Sequence, residues 1–165
     1  MNYHEENIEK IINYFAEKQT TQVEIKKLSN LAKIPKKGSE RAAGCDLYAA
    51  IEEPIDISPH ETEKIKTDIA IALPDRTFGG IYARSGLATK KGLRPANGVG
   101  VIDEDYRGNI IVALHNDSDN IQRVNPGERI AQFIVLPYIP ISFKEVDNLS
   151  TTERNIDGFG STGEF

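Results

Sequence analysis

From Val23 onward the apolar residues come in short runs broken at close intervals by Gly, Pro, Asn and Asp: Val23 to Leu28, Ile55 to Ile57, Lys64 to Leu73 and Gly80 to Ala83. Short β-rich segments separated by turn formers predict an all-β fold, a sandwich or jelly roll. Thr67 to Leu73 alternates imperfectly, so this strand is expected to be half-buried at best. Residues 1 to 20 follow another rule. Ile8, Ile11, Ile12 and Phe15 recur at i, i+3, i+4 and i+7, with Glu9, Lys10, Asn13 and Glu17 on the other side. That pattern is an amphipathic helix of about four turns, expected to dock on its own domain or a neighbouring subunit, or to meet a protein partner. The chain thus divides into an N-terminal helical extension (1–22), a β core (23–150) and a flexible C-terminal arm (151–165).

The stretch NGVGVIDEDYRG, Asn97 to Gly108, drives apolar residues into three carboxylates and an Arg-Gly turn signal. It reads as the tip of a β-hairpin, with Val99, Val101 and Ile102 entering and Ile110, Ile111, Val112 and Leu114 leaving. A solvated acidic turn is one explanation. A calcium loop is another, but Arg107 and Leu114 stand where that loop needs an oxygen ligand and a bidentate Glu. A third is catalytic: a carboxylate at the end of a rigid strand is a good water-activating base, and a narrow tip leaves backbone groups free to read a flat polar ring. The stretch alone does not choose among them.

Four other stretches carry chemistry. In Ala42 to Ala50, AAGCDLYAA, Asp46 sits among small residues, as a turn carboxylate or an outer-shell ligand of a hydrated cation. In Ala83 to Leu93, ARSGLATKKGL, Ser85 reads as the N-cap of a short internal helix closing near Gly92, with Arg84 beside exposed N–H groups that suit an anion. In ERIAQFIV, alternation places Arg129, Ala131, Phe133 and Val135 on one face and Gln132 in the apolar row of Ile130, Ile134 and Leu136, where its amide needs a partner. The C-terminal ERNIDGFGSTGEF offers a guanidinium, a ring, hydroxyls and glycine amides, and it lacks the Gly-Lys-Ser/Thr of a P-loop.

Length and composition narrow the classes. A chain of 165 residues with 39% hydrophobic content fits one soluble domain. No apolar run approaches a membrane span, and Glu5, Glu6 and Glu9 oppose a signal or transit peptide, so a cytoplasmic or nuclear location is expected. The single Cys45 supports neither a disulfide nor a thiolate metal cluster. A net charge of -5 argues against broad nucleic-acid binding and requires any polyphosphate site to be built locally.

Taken in order, AAGCDLYAA, ARSGLA, NGVGVIDEDYRGN, RIAQFIV and RNIDGFGSTG resemble the five motifs of the trimeric dUTPases, over Val23 to Phe165. The resemblance implies a distorted jelly roll, assembled as a homotrimer with shared active sites, that hydrolyses dUTP to dUMP and pyrophosphate with Mg2+ (magnesium). It implies that Asp103 is the base orienting water for in-line attack on the α-phosphorus. Arg84, Ser85 and Gly86 would hold phosphate oxygens, and Gln132 the α-phosphate region. Gly100, Val101, Ile102 and Asp103, with the backbone of Ile111 and the amide of Asn97, would form a uracil slot, and Tyr106 would pack under the deoxyribose. Arg154, Phe159, Gly160, Ser161 and Thr162 would close over the site from another subunit, with Phe159 on the uracil. Asp46 would touch magnesium only through water. The Asn-Ile-Asp after Arg154 is less glycine-rich than the family pattern, and the N-terminal helix lies outside the family core.

Two other functions fit part of this pattern. A dCTP deaminase shares the fold and the second and third motifs, but the Asp-Glu-Asp-Tyr-Arg-Gly tip and the Phe-Gly-Ser-Thr-Gly arm fit a dUTPase better. A dUTP-gated interaction protein would use the N-terminal helix as its partner surface, yet it would not require a base at Asp103.

Overall fold

The aliphatic residues of the short runs fall on strands and meet in one core: Leu47, Ile57, Ile65, Ile69, Leu93, Val112, Leu114, Val124 and Ile130 are each 1% exposed or less. At about 1.5–3 kcal/mol for each buried aliphatic side chain, this core is the main favourable term in folding. The structure is a computed structural model that describes residues 21–152 and 155–156. Its elements are β1 (Glu24–Lys27), β2 (Lys36–Lys37), β3 (Cys45–Tyr48), β4 (Ile55–Ile57), β5 (Thr62–Lys66), β6 (Ile69–Ala72) and β7 (Thr77–Tyr82), followed by α1 (Ser85–Lys91) and β8 (Leu93–Pro95). Then come β9 (Gly100–Ile102), β10 (Ile111–Asn116), β11 (Gln122–Val124) and β12 (Arg129–Pro137). The N-terminal helix expected within residues 1–20, and Arg154, Phe159, Gly160, Ser161 and Thr162 of the arm, lie outside the described residues. No helix among the described residues is long and apolar enough to cross a membrane.

All strand pairings are antiparallel. A five-stranded sheet in the order β2-β3-β12-β7-β9 faces a three-stranded sheet β5-β10-β8 across the common core, and the pairs β1-β6 and β11-β4 complete the barrel-like jelly roll. The helix α1 closes as expected: Gly92 takes φ 68 at its C-cap and its N–H donates to the carbonyl of Leu87.

Four expectations are corrected. The run Lys64 to Leu73 is two strands, because Asp68 adopts a left-handed φ of 51 between β5 and β6 and turns the chain. Its second half is fully buried: Ile69, Ala70 and Ile71 are all in the core, because β6 is covered on both faces. The N-cap of α1 is Arg84, in extended backbone with no side-chain cap bond, while Ser85 is already helical and its carbonyl accepts the Thr89 hydroxyl at 2.7 Å. The fourth correction concerns the tip. The strands that enter and leave it are not partners: β9 pairs with β7, whereas β10 pairs with β5 and β8. Asp103–Gly108 therefore spans two sheets rather than closing a hairpin.

Candidate active site

This divergence opens a slot. β9 is an edge strand bonded only through β7. On β10, β8 pairs only with Leu114, His115 and Asn116, so Ile111 and Val112 have ladder partners on the β5 side alone. Between the edge of β9 and the start of β10 lies a cavity of about 330 Å³ lined by Val101, Ile102, Asp103, Tyr106, Asn109 and Ile111. Val101, Tyr106 and Ile111 expose apolar surface there, and the Asp103 carboxylate is exposed at the rim. Strand edges with unpaired backbone groups beside apolar side chains suit a flat, polar-edged ring.

The tip is held by contacts invisible in a periodicity pattern. Glu104 accepts the backbone N–H of Arg76 at 2.6 Å, and its hydrogen bond to Tyr138 holds that phenol above its ordinary pKa. Arg107 folds back, its Nη1 donating to the carbonyls of Glu104 and Tyr106 at 2.6 and 3.0 Å. The outgoing limb is fastened at Ile110, whose carbonyl accepts both the N–H and the hydroxyl of Thr67 and whose N–H donates to Ile69. Asn97 stands at the entrance of β9, its Nδ2 about 3.5 Å from where a Gly100 Cβ would lie. Gly100 itself is packed on Ile81, where a Cβ would come within 3.1 Å of another.

A second group of site residues gathers at the other end of β7. Asp46 of β3, Gln132 of β12 and Tyr82 of β7 lie side by side in register. Asp46 is a buried strand residue, not a turn carboxylate: Oδ1 accepts Arg84 Nε at 2.8 Å and Oδ2 accepts Arg129 Nη1 at 3.2 Å. Arg84 also donates from Nη1 to the Arg129 carbonyl at 3.3 Å. Ser85 and Gly86 are exposed in the first turn of α1, where backbone N–H groups have no intrahelical acceptor. Gln132 is half-buried rather than enclosed, because a register shift between Arg129 and Ala131 turns both Ile130 and Ala131 inward. Together these residues make a cationic, donor-rich surface suited to phosphate oxygens.

One chain does not bring the two groups together. In the β7–β9 ladder Ile102 faces Gly79, so Asp103 lies beside Phe78 at the start of β7, whereas Arg84 follows its end; the six residue steps from Phe78 to Arg84 span about 20 Å. Arg129, Glu104 and Asn109 join the site through contacts that local sequence pattern does not mark. Arg129 carried a signal, a cation two residues before Ala131 in the stretch that holds Gln132; the others carried none. A second cavity, about 370 Å³, is lined mainly by apolar residues such as Val23, Ile25, Ile71 and Val135, with Cys45 in its wall, and offers no acid–base pair. Among the described residues no group of three or more His, Cys, Asp or Glu could hold a metal ion.

The chain matches the family model dUTPase over residues 30–163. It is 47% identical over 146 residues to a deoxyuridine 5'-triphosphate nucleotidohydrolase of Rickettsia bellii, covering 88% of this chain and 97% of that one. A protein of the same name from Desulfitobacterium hafniense is 47% identical over 132 residues, covering 79% of this chain and 87% of that one. Among solved structures, the Staphylococcus bacteriophage 80alpha dUTPase with dUPNHPP superposes with a TM-score of 0.79 at 31% identity, covering 87% of this chain and 99% of that one. The matched span holds the slot, the Asp103 rim and the Arg84–Asp46–Arg129 cluster described above, and at this identity and coverage the chain belongs to the dUTPase family.

Proposed function

We propose that the protein hydrolyses dUTP to dUMP and pyrophosphate, limiting uracil incorporation into DNA and supplying dUMP for thymidylate synthesis. The observation that carries this reading is the slot between β9 and β10 with a carboxylate at its rim. Uracil enters edge-on, meeting the backbone of Gly100, Val101, Ile102, Asp103 and Ile111 and the amide of Asn97. The backbone polarity is fixed, so cytosine, reversed at two edge positions, leaves polar groups unpaired. Tyr106 packs under the deoxyribose and leaves no room for a ribose hydroxyl.

Asp103 accepts a proton from the attacking water, whose oxygen bonds to the α-phosphorus as the bond to the bridging oxygen breaks and pyrophosphate leaves. Ser85 positions phosphate and is not a nucleophile, since no His-based triad accompanies it. Arg84, Ser85, Gly86 and Gln132 bind the phosphates, and Arg154, Phe159, Gly160, Ser161 and Thr162 close over them. Magnesium, when bound with the substrate, would supply charge neutralisation on the triphosphate. The donor set fits an ion carried by the substrate: both oxygens of Asp46 already accept guanidinium N–H groups, so Asp46 would help hold it through water.

The assembly is a homotrimer in which the base slot of one subunit meets the phosphate cluster of the next. Two features support this: the separation of about 20 Å along β7 within one chain, and the segment after β12, where Ile139, Ile141, Phe143 and Leu149 are 73% exposed or more and call for cover by another copy. Hydrolysis in ¹⁸O-labelled water tests the chemistry. The label appears in dUMP if water attacks the α-phosphorus; label in pyrophosphate would refute this route.

A further inference from the structure

Asp68 lies outside all five motifs, yet it is bonded to the wall of the slot. It adopts a φ of 51, a conformation glycine takes freely and other residues take at a cost. Its carboxylate Oδ1 accepts the Asn109 Nδ2 at 2.7 Å, across 41 positions of sequence. Asn109 lines the slot. Its own side-chain oxygen is buried without a hydrogen-bond partner, so the bond to Asp68 is what orients the amide. Its main-chain carbonyl in turn accepts the Tyr106 hydroxyl at 3.1 Å.

We infer that Asp68 is a positioning residue for sugar selection: it fixes Asn109, whose carbonyl holds the Tyr106 ring beneath the deoxyribose. This rests on the proposed dUTP hydrolysis and on Tyr106 facing the sugar. The backbone of the same corner already secures the limb, because Thr67 and Ile69 bond Ile110 and the Asp68 carbonyl accepts the Leu28 N–H at 2.8 Å. The carboxylate is therefore not needed to hold the strands together. A residue kept in a left-handed conformation with its side chain spent on one slot residue points to the geometry of that slot.

The test is Asp68→Gly, which suits the φ and removes only the side chain, beside Asp68→Asn, which keeps an acceptor oxygen. Values of kcat and KM are measured for dUTP and UTP in the assembled protein. Asp68→Gly is expected to raise the KM for dUTP about fivefold, to lower the dUTP-over-UTP preference by a similar factor, and to alter kcat less than twofold. Asp68→Asn is expected to restore the wild-type values. In a double-mutant cycle, Tyr106→Phe is expected to abolish most of the effect of Asp68→Gly. Wild-type KM and preference in Asp68→Gly, equal impairment in Asp68→Asn, or full additivity with Tyr106→Phe would each overturn the inference while leaving dUTP hydrolysis intact. A wild-type protein that releases no pyrophosphate from dUTP would overturn both.

Discussion

Arg84 and Asp46 form a part-buried ion pair, Nε to Oδ1 at 2.8 Å, and the second carboxylate oxygen takes Arg129 at 3.2 Å. The carboxylate is the more enclosed partner, its side chain 9% exposed against 23% for Arg84 and 52% for Arg129. It thus holds two cations at one place on the five-stranded sheet. Asp46→Ala leaves the two cations facing each other without their shared carboxylate. The expected result is a loss of about 1–3 kcal/mol in a denaturant titration, discounted for the solvent reaching both arginines. The KM for dUTP is expected to rise about tenfold as Arg84 loses its fixed orientation.

A shared site predicts complementation. Asp103→Asn and Arg84→Ala chains, each inactive alone, recover activity when unfolded together and refolded. Only sites that draw an intact slot from one subunit and an intact cluster from its neighbour can work, so about a quarter of wild-type activity is expected. Failure to recover any activity would mean that each chain carries a whole site.

Gly108 keeps Tyr106 in place. A Cβ there would meet the Tyr106 hydroxyl and ring, and the ring can yield only by giving up its bond to the Asn109 carbonyl. Gly108→Ala is expected to lower kcat/KM for dUTP about tenfold while costing little in melting temperature, since the displaced group is a half-exposed side chain.

How much of this was open to inspection in the sequence depended on whether the signal was local. Ile55–Ile57 and the Gly92 stop were legible because β-branched alternation and a left-handed cap are written in neighbouring residues. The sequence pattern marks β7 only from Gly80, because Thr77 and Phe78 precede a pair of glycines, Gly79 and Gly80, that make room for Phe133 and Tyr82. The tip was placed correctly and its pairing was not: alternation marks a strand without naming its partner. Asp103 and Arg84 stood in recognisable motifs. Asp68 with Asn109, Glu104 with Arg76 and Arg129 with Asp46 are joined across 41, 28 and 83 positions, and nothing local announces them.

Glu128 gives a pH dependence. Burial raises its pKa, but the Lys91 ammonium at 2.8 Å and the Asn125 N–H groups outweigh burial and hold the carboxyl below its ordinary value. A depressed folded-state pKa means that the stabilisation is complete above the unfolded value of about 4.3 and is lost as pH falls through the folded one. Melting temperature is expected to drop as pH falls below about 4.3, and Glu128→Gln to flatten part of that drop. An unchanged profile in Glu128→Gln would remove this pair from the acid response.

The most direct measurement is pyrophosphate release from dUTP, dCTP, dTTP and UTP with magnesium, for the wild type and Asp103→Asn, alongside dUTP binding to both. Release is expected from dUTP alone, lost by at least about a hundredfold in Asp103→Asn while dUTP still binds. Undiminished release in Asp103→Asn, or cleavage of all four nucleotides at similar rates, would contradict it.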